Sequence, residues 1–116
     1  MVTQASGPVF GAIADPTRRA ILDALREGPL AAGDIANLFP VSRPAVSRHL
    51  RVLRQAGLLR ERRVAQSRIY ALDPEPLQRV EQWLSHYRVF WAARLMDLKR
   101  HLESEHARTS ERKSRR

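Results

Sequence analysis

Between Val41 and Arg63 the chain reads VSRPAVSRHLRVLRQAGLLRERR, and this stretch gathers the side chains best suited to chemistry. Arg43, Ser47, Arg51 and Arg54 recur at spacings of four, four and three, which places them on one stripe of a helix, with Arg48 flanking it. Val46, Leu50 and Leu53 recur at four and three and give the same helix an apolar edge. Arg62 and Arg63 follow in a β-like stretch. A rigid helix that presents forked guanidinium groups and small hydroxyls suits base edges and phosphates in a major groove. A solvated amphipathic helix is also charged on its outer face, but with both signs. Here no Glu stands at i+4 from Arg43 to Arg54, and eight arginines from Arg43 to Arg68 face one acid, Glu61. DNA contact is the expectation.

Other clusters are weaker. Asp97, His101 and Glu105 stand four apart, with His106 nearby, and such spacing can chelate a divalent ion. Beside Arg100 the stripe reads instead as an exposed polar face, so no metal site is expected. His49 suits helix packing or a phosphate contact, and His86, next to Tyr87, suits an interface. Catalysis needs a nucleophile with a base, a carboxylate pair or a phosphate loop. Asp15 and Asp23 have simpler uses as cap and surface residues, and five glycines form no Gly-rich loop. No catalytic residue, cofactor or enzyme activity is expected.

The chain has 116 residues, enough for one small domain with a core. A formal charge of +9 and a pI near 11.4 favour polyanionic partners. With no cysteine, disulfides and thiolate metal sites are excluded and the cytosol is the default compartment. MVTQASGPVF lacks the basic start and apolar core of a signal peptide, and no apolar run approaches membrane-spanning length. A soluble cytoplasmic chain is expected.

The elements that must hold the arginine stripe follow from punctuation. Residues 1–7 are small and polar and predict a frayed end. Val9 to Ala14 predict a short helix. Asp15-Pro16 starts a second helix with an acidic cap and a first-turn proline, Ile21, Leu22 and Leu25 form its face, and Gly28-Pro29 ends it. Ala31 to Phe39 predict a third helix, with Ile35, Ala36 and Leu38 inward. Phe39-Pro40-Val41 is the turn, since the residue before proline is pushed out of helix. Ser42 then serves as N-cap, Pro44 sits in the first turn, and Gly57 lies where a C-terminal cap belongs. Two short helices, a turn and the striped helix make a helix-turn-helix. Leu58–Val64 and Ser67–Leu72 predict a β-hairpin around Ala65-Gln66, a wing.

Asp73-Pro74-Glu75-Pro76 stops the strand and starts a last helix, expected from Pro76 to about Glu103. Leu77, Val80, Leu84, Tyr87, Trp91, Leu95, Leu98 and Leu102 follow at spacings of three and four. Trp83, Val89 and Phe90 add a second apolar edge. One small domain cannot cover so much, so the helix is expected to pack on its own domain and on a second subunit. A break near Ser85–Tyr87 is also compatible. From Ser104 the periodicity ends, and residues 104–116, closing on ERKSRR, predict a basic disordered tail. The fold class is thus mainly α with a small β-hairpin, ordered α-α-α-α-β-β-α and dimeric, with residues 8–103 forming the domain.

DPTRRAIL (Asp15–Leu22), REGPLAAGDIA (Arg26–Ala36), the Val41–Arg63 stretch and SRIYALDPEPL together resemble the ArsR-type winged helix-turn-helix repressors. The pattern YRxFWxxRLxxLxxxL from Tyr87 to Leu102 narrows the likeness to a metal-independent branch. It covers about Phe10 to Glu103. The resemblance implies a homodimer joined by first and last helices, through Val9, Phe10, Leu84, Tyr87, Trp91, Leu95 and Leu98. It implies an inverted-repeat duplex near a promoter as partner, repression by blocking polymerase, and a prokaryotic, nucleoid-associated location. By position Ser42, Arg43, Pro44, Ser47, Arg48 and Arg51 match the family's recognition-helix contacts, and Arg62, Arg63 and Arg68 its wing. The chain departs from the metal-sensing members, whose helix before the recognition helix carries a cysteine pair; here it reads AAGDIANLF. Any effector is left unknown. The alternative is a winged-helix interaction or architectural module without an operator, which would carry apolar or mixed-charge residues where the arginine stripe lies.

Overall fold

Capping residues set the helix boundaries along this chain. The computed structural model describes residues 2–114, with side chains from Gly7 to Lys113. In order it contains α1 (Val2–Ile13), α2 (Pro16–Ala24) closed by a 3-10 turn (Leu25–Glu27), β1 (Leu30–Ala31), α3 (Ala32–Asn37), α4 (Arg43–Gln55), β2 (Leu59–Val64), β3 (Ser67–Leu72) and α5 (Glu75–Ser114). The chain divides between Glu81 and Gln82 into two units.

In the first unit, Asp15 caps α2 by accepting the backbone N–H of Arg18 at 3.0 Å. That bond, opposed by burial and helped by the Arg18 charge, holds the Asp15 carboxyl below its ordinary range. Ser42 Oγ accepts from the Ala45 N–H at 3.3 Å and starts α4, with Pro44 in the first turn. At the other end Gly57 adopts φ 79°, which a Cβ would strain. Its N–H donates to the Arg54 carbonyl at 2.9 Å and the Leu58 N–H to the Leu53 carbonyl at 3.0 Å. That pair is a Schellman closure, and the accompanying apolar contact unites two fully buried leucines, Leu53 and Leu58.

β2 and β3 form the expected hairpin, with Val64 opposite Ser67 and Leu59 opposite Leu72. The Ala65-Gln66 turn requires φ 56° at Ala65, an unusual assignment for a residue with a Cβ. The sheet has a third strand that the sequence reading lacks. β1 pairs antiparallel with β3, Leu30 opposite Tyr70, giving the order β1-β3-β2. Two residues carry no readable period; they become a strand because β3 offers an open edge of backbone donors and acceptors.

The core draws on every helix of this unit: Val9 and Ala12 from α1, Ile21 and Leu22 from α2, Ile35 from α3, and Val46, Leu50 and Leu53 from α4. Leu58, Leu59 and Tyr70 close it from the sheet, and Val80 from the first turns of α5. Leu38, expected inward, is 57% exposed at the C-cap of α3, which ends at Asn37. Asp73 caps α5 by accepting the Glu75 N–H at 3.1 Å, which lowers its pKa, and the Arg60 guanidinium beside it acts the same way.

The second unit is helix. α5 has no break at Ser85–Tyr87. It also continues through residues 104–114, where composition predicts a disordered tail. Six of its eleven residues are Glu, Ala, Arg or Lys, good helix formers, so polarity alone does not melt it. Pairs at i,i+4 support it, Lys99–Glu103 at 4.0 Å and His101–Glu105 at 3.2 Å, and Thr109 Oγ1 donates to the Glu105 carbonyl. At the opposite end of the chain α1 begins at Val2, seven residues before the expected start at Val9. Once Val9 and Ala12 are anchored in the core, adding turns to an existing helix is far easier than nucleating one.

Candidate nucleic-acid interface

The Ser42 cap and the apolar edge of α4 fix the helix against the core and leave its other side to solvent. Ser42, Arg43, Pro44, Ser47, Arg48 and Arg51 are all exposed. Among the described residues Arg43, Arg48, Arg51, Arg62 and Arg63 make no hydrogen bond or ion pair within the chain. Five unpaired guanidinium groups on one small domain form a strongly positive surface with nothing internal to satisfy it.

Strand alternation sorts the wing arginines, which a linear reading cannot do. Side chains at every second residue share a face. Leu59, Glu61 and Arg63 therefore lie on one face of β2, opposite Leu72, Tyr70 and Arg68. This face turns to α4: Glu61, Arg68 and Tyr70 line a groove of about 220 Å³ with Ser47, Arg51 and Arg54. Arg62 belongs to the other face, with Arg60, Ile69 and Ala71. The three wing residues thus separate, Arg63 and Arg68 toward the striped helix and Arg62 behind.

Glu61 is the residue that sequence reasoning undervalued. Its carboxylate pairs with Arg54 from α4 and, at 3.5 Å, with Arg68 from β3. Its side chain is only 16% exposed, so the single acid of the arginine-rich stretch sits inside the groove and ties helix to wing. The absence of an i+4 Glu on α4 holds, but Arg54 finds its partner across the hairpin. The hairpin register carries the signal, because Glu61 shares its face with Leu59 and Tyr70.

The residues assigned to a subunit interface also separate. Val9 is 2% exposed in the core of its own chain and is not available to a partner; its neighbour Phe10 is half-buried. The α1 pattern places one of the two inward, and the packed core takes Val9. On α5, Leu84 is half-buried and Tyr87, Trp91, Leu95 and Leu98 are exposed. Trp83, Tyr87 and Trp91 form an aromatic ladder at i,i+4, with ring centroids 5.0 and 6.5 Å apart. Arg94 lies 5.5 Å from the Phe90 ring centroid, a cation–π distance. His86 Nδ1 lies 3.3 Å from the Trp83 carbonyl on the same helix. The His49 side chain is mostly buried, in a packing position. Among the described residues no group of three or more His, Cys, Asp or Glu is placed to hold a metal ion, and no helix is long and apolar enough to cross a membrane.

Comparison with known proteins places this geometry. A helix-turn-helix domain family matches residues 13–62, which span α2 to the wing's first strand. The HTH-type transcriptional regulator Rv2034 of Mycobacterium tuberculosis is 45% identical over 94 residues, 81% of this chain and 85% of that protein. The transcriptional repressor SdpR of Bacillus subtilis is 44% identical over 79 residues, 68% of this chain and 88% of that one. The crystal structure of an ArsR family transcriptional regulator, RHA00566, superposes with a TM-score of 0.70 at 32% identity, over 77% of this chain and 92% of that one. A capped, arginine-striped helix beside a basic wing, in a chain this similar to such regulators over most of its length, is a DNA-binding transcriptional regulator of the ArsR family.

Proposed function

We propose that this regulator represses transcription as a homodimer on an inverted-repeat operator, with no metal or thiol effector. The observation that carries the reading is the outer face of α4, where Arg43, Arg48 and Arg51 stand exposed and unpaired beside Ser42 and Ser47. Inserted in a major groove, Arg48 and Arg51 read base edges, Ser42, Arg43, Pro44 and Ser47 meet the phosphates and sugars that fix register, and Arg63 and Arg68 approach the backbone from the helix side of the wing. Arg62, on the wing's other face, reaches only a flanking phosphate.

Dimerisation supplies the second recognition helix, since two copies about one duplex turn apart read two half-sites. The apolar face of α5 in the second unit, with Tyr87, Trp91, Leu95 and Leu98, is the surface that pairs. Repression is the activity that gives SdpR, the Bacillus subtilis relative, its description as a transcriptional repressor. Independence from metals rests on the chain's having no cysteine and on the reading of Asp97, His101 and Glu105 as an exposed polar face beside Arg100. An affinity-selected duplex tests the reading. Arg48→Ala or Arg51→Ala should cost about 1–3 kcal/mol on that duplex and far less on random DNA. Arg63→Ala should weaken both alike and flatten the salt dependence. Equal losses on both duplexes for all three variants would remove base reading from α4. Zinc, nickel and cobalt titrated onto the complex should leave its affinity unchanged, and a chelator-reversible loss would contradict the metal-independent part.

A further inference from the structure

The first helix and the recognition helix are joined through one guanidinium. The last carbonyls of α1 have no partner within their helix. Arg18 of α2 supplies two, donating from Nε to the Ala12 carbonyl at 2.7 Å and from a terminal nitrogen to the Gly11 carbonyl at 3.1 Å. Arg19 takes the next two, Ile13 and Ala14. The remaining terminal nitrogen of Arg18 lies 3.3 Å from Nδ1 of His49 in the middle of α4. A guanidinium only donates, so this hydrogen bond requires an Nδ1 lone pair and the ring proton on Nε2. Asp15 stands behind the pair, its carboxylate 3.9 Å from the same Nδ1.

We infer that Arg18 and His49 are positioning residues for DNA reading: the Arg18 side chain transmits the position of α1 to the recognition helix through His49. His49 itself has no route to DNA, because its side chain is only 20% exposed and points into the α1–α2 junction. Its neighbours in sequence, Arg48 and Arg51, lie on the outer face. A planar, three-bond guanidinium fixes direction as well as distance, so a small rotation of α4 would break the contact. The inference rests on α4 being the base-reading helix.

The test uses the full chain and a duplex recovered by selection with the wild-type protein, against random-sequence duplex. His49→Leu keeps the ring's bulk and removes the acceptor. It should lower affinity for the selected duplex about five- to tenfold. Binding to random DNA and thermal unfolding should stay near wild type. His49→Asn restores an acceptor at the Nδ1 position and should recover most of the loss. Arg18→Lys keeps the charge but not the fork, and should match His49→Leu, with the double variant no worse than either. Full affinity in His49→Leu, an unrecovered His49→Asn, or additive losses in the double variant would overturn the inference. A wild-type chain that does not prefer the selected duplex would overturn the α4 reading beneath it, which distinguishes the two failures.

Discussion

Glu61→Gln separates the wing's internal ion pairs from its attraction for DNA. The carboxylate holds Arg54 and Arg68, and the amide keeps the shape and one acceptor while releasing both charges. The arginine side chains are 50% and 55% exposed, so their pairing adds at most about 1 kcal/mol each to folding, most of it screened. On DNA the change runs the other way. Each arginine freed to meet a phosphate adds about 0.9 to the slope of log affinity against log salt. Two of them make about 1.8 per protomer, which between about 50 and 200 mM salt is roughly a tenfold steeper fall in affinity. The gain in phosphate attraction therefore outweighs the folding cost. Fluorescence anisotropy on a random-sequence duplex across that salt range measures it. The expected outcome is tighter binding at low salt with the steeper slope, and return toward the wild-type slope when Arg54→Gln or Arg68→Gln is added. Parallel slopes for Glu61→Gln and wild type would show that neither arginine reaches DNA, and would refute the placement of the groove against the duplex.

Trp91→Ala should weaken self-association: a tryptophan offers up to about 250 Å² and Trp91 is 49% exposed, so burying the remainder is worth about 3 kcal/mol per protomer. Sedimentation at low micromolar concentration checks this, and a wild-type chain already monomeric there while binding its selected duplex tightly would end the dimer proposal. Ala65→Gly should stabilise the fold by about 0.5–1 kcal/mol, the relief of a left-handed φ exceeding the entropy glycine adds to the unfolded chain. A raised urea midpoint with an unchanged slope is the expected readout. Asp15 has a lowered pKa in the fold, so its contribution is complete above the unfolded value of about 3.9 and is lost as pH falls through the lower folded value. Urea titrations from neutral pH into that acid range should show a steeper loss for wild type than for Asp15→Asn; parallel acid limbs would contradict the cap's ionic character.

Local chemistry made much of this fold legible. Asp15, Ser42 and Gly57 announce helix ends because each satisfies orphan backbone groups within a few residues of itself, and Val46, Leu50 and Leu53 announce a buried edge by spacing alone. What escaped depends on neighbours remote in sequence. β1 exists only because β3 lies beside it. Val9 and Phe10 are adjacent apolar residues, and only the packed core decides that Val9 faces inward. The helical state of residues 104–114 escaped for another reason, since composition speaks of a missing apolar face and not of whether a helix already under way will stop.

The candidate site shows the same division. The α4 arginines were found because a helix's period is written in its own sequence. The wing arginines were found as a group, but their faces were not, since facing requires the Val64–Ser67 register to be known. With that register, Glu61 changes meaning. In sequence it is one acid diluted among eight arginines. In the fold it is the residue that ties Arg54 of α4 to Arg68 of the wing. Of the eight arginines from Arg43 to Arg68, three are paired within the chain, Arg54 and Arg68 with Glu61 and Arg60 with Asp73, and five on α4 and the wing remain unpaired. In the proposed complex the unpaired arginines supply the attraction to DNA, while Glu61 and the Arg18–His49 contact bear on the angle at which α4 and the wing meet it. Charge count and orientation are thus carried by different residues, so they can be varied independently.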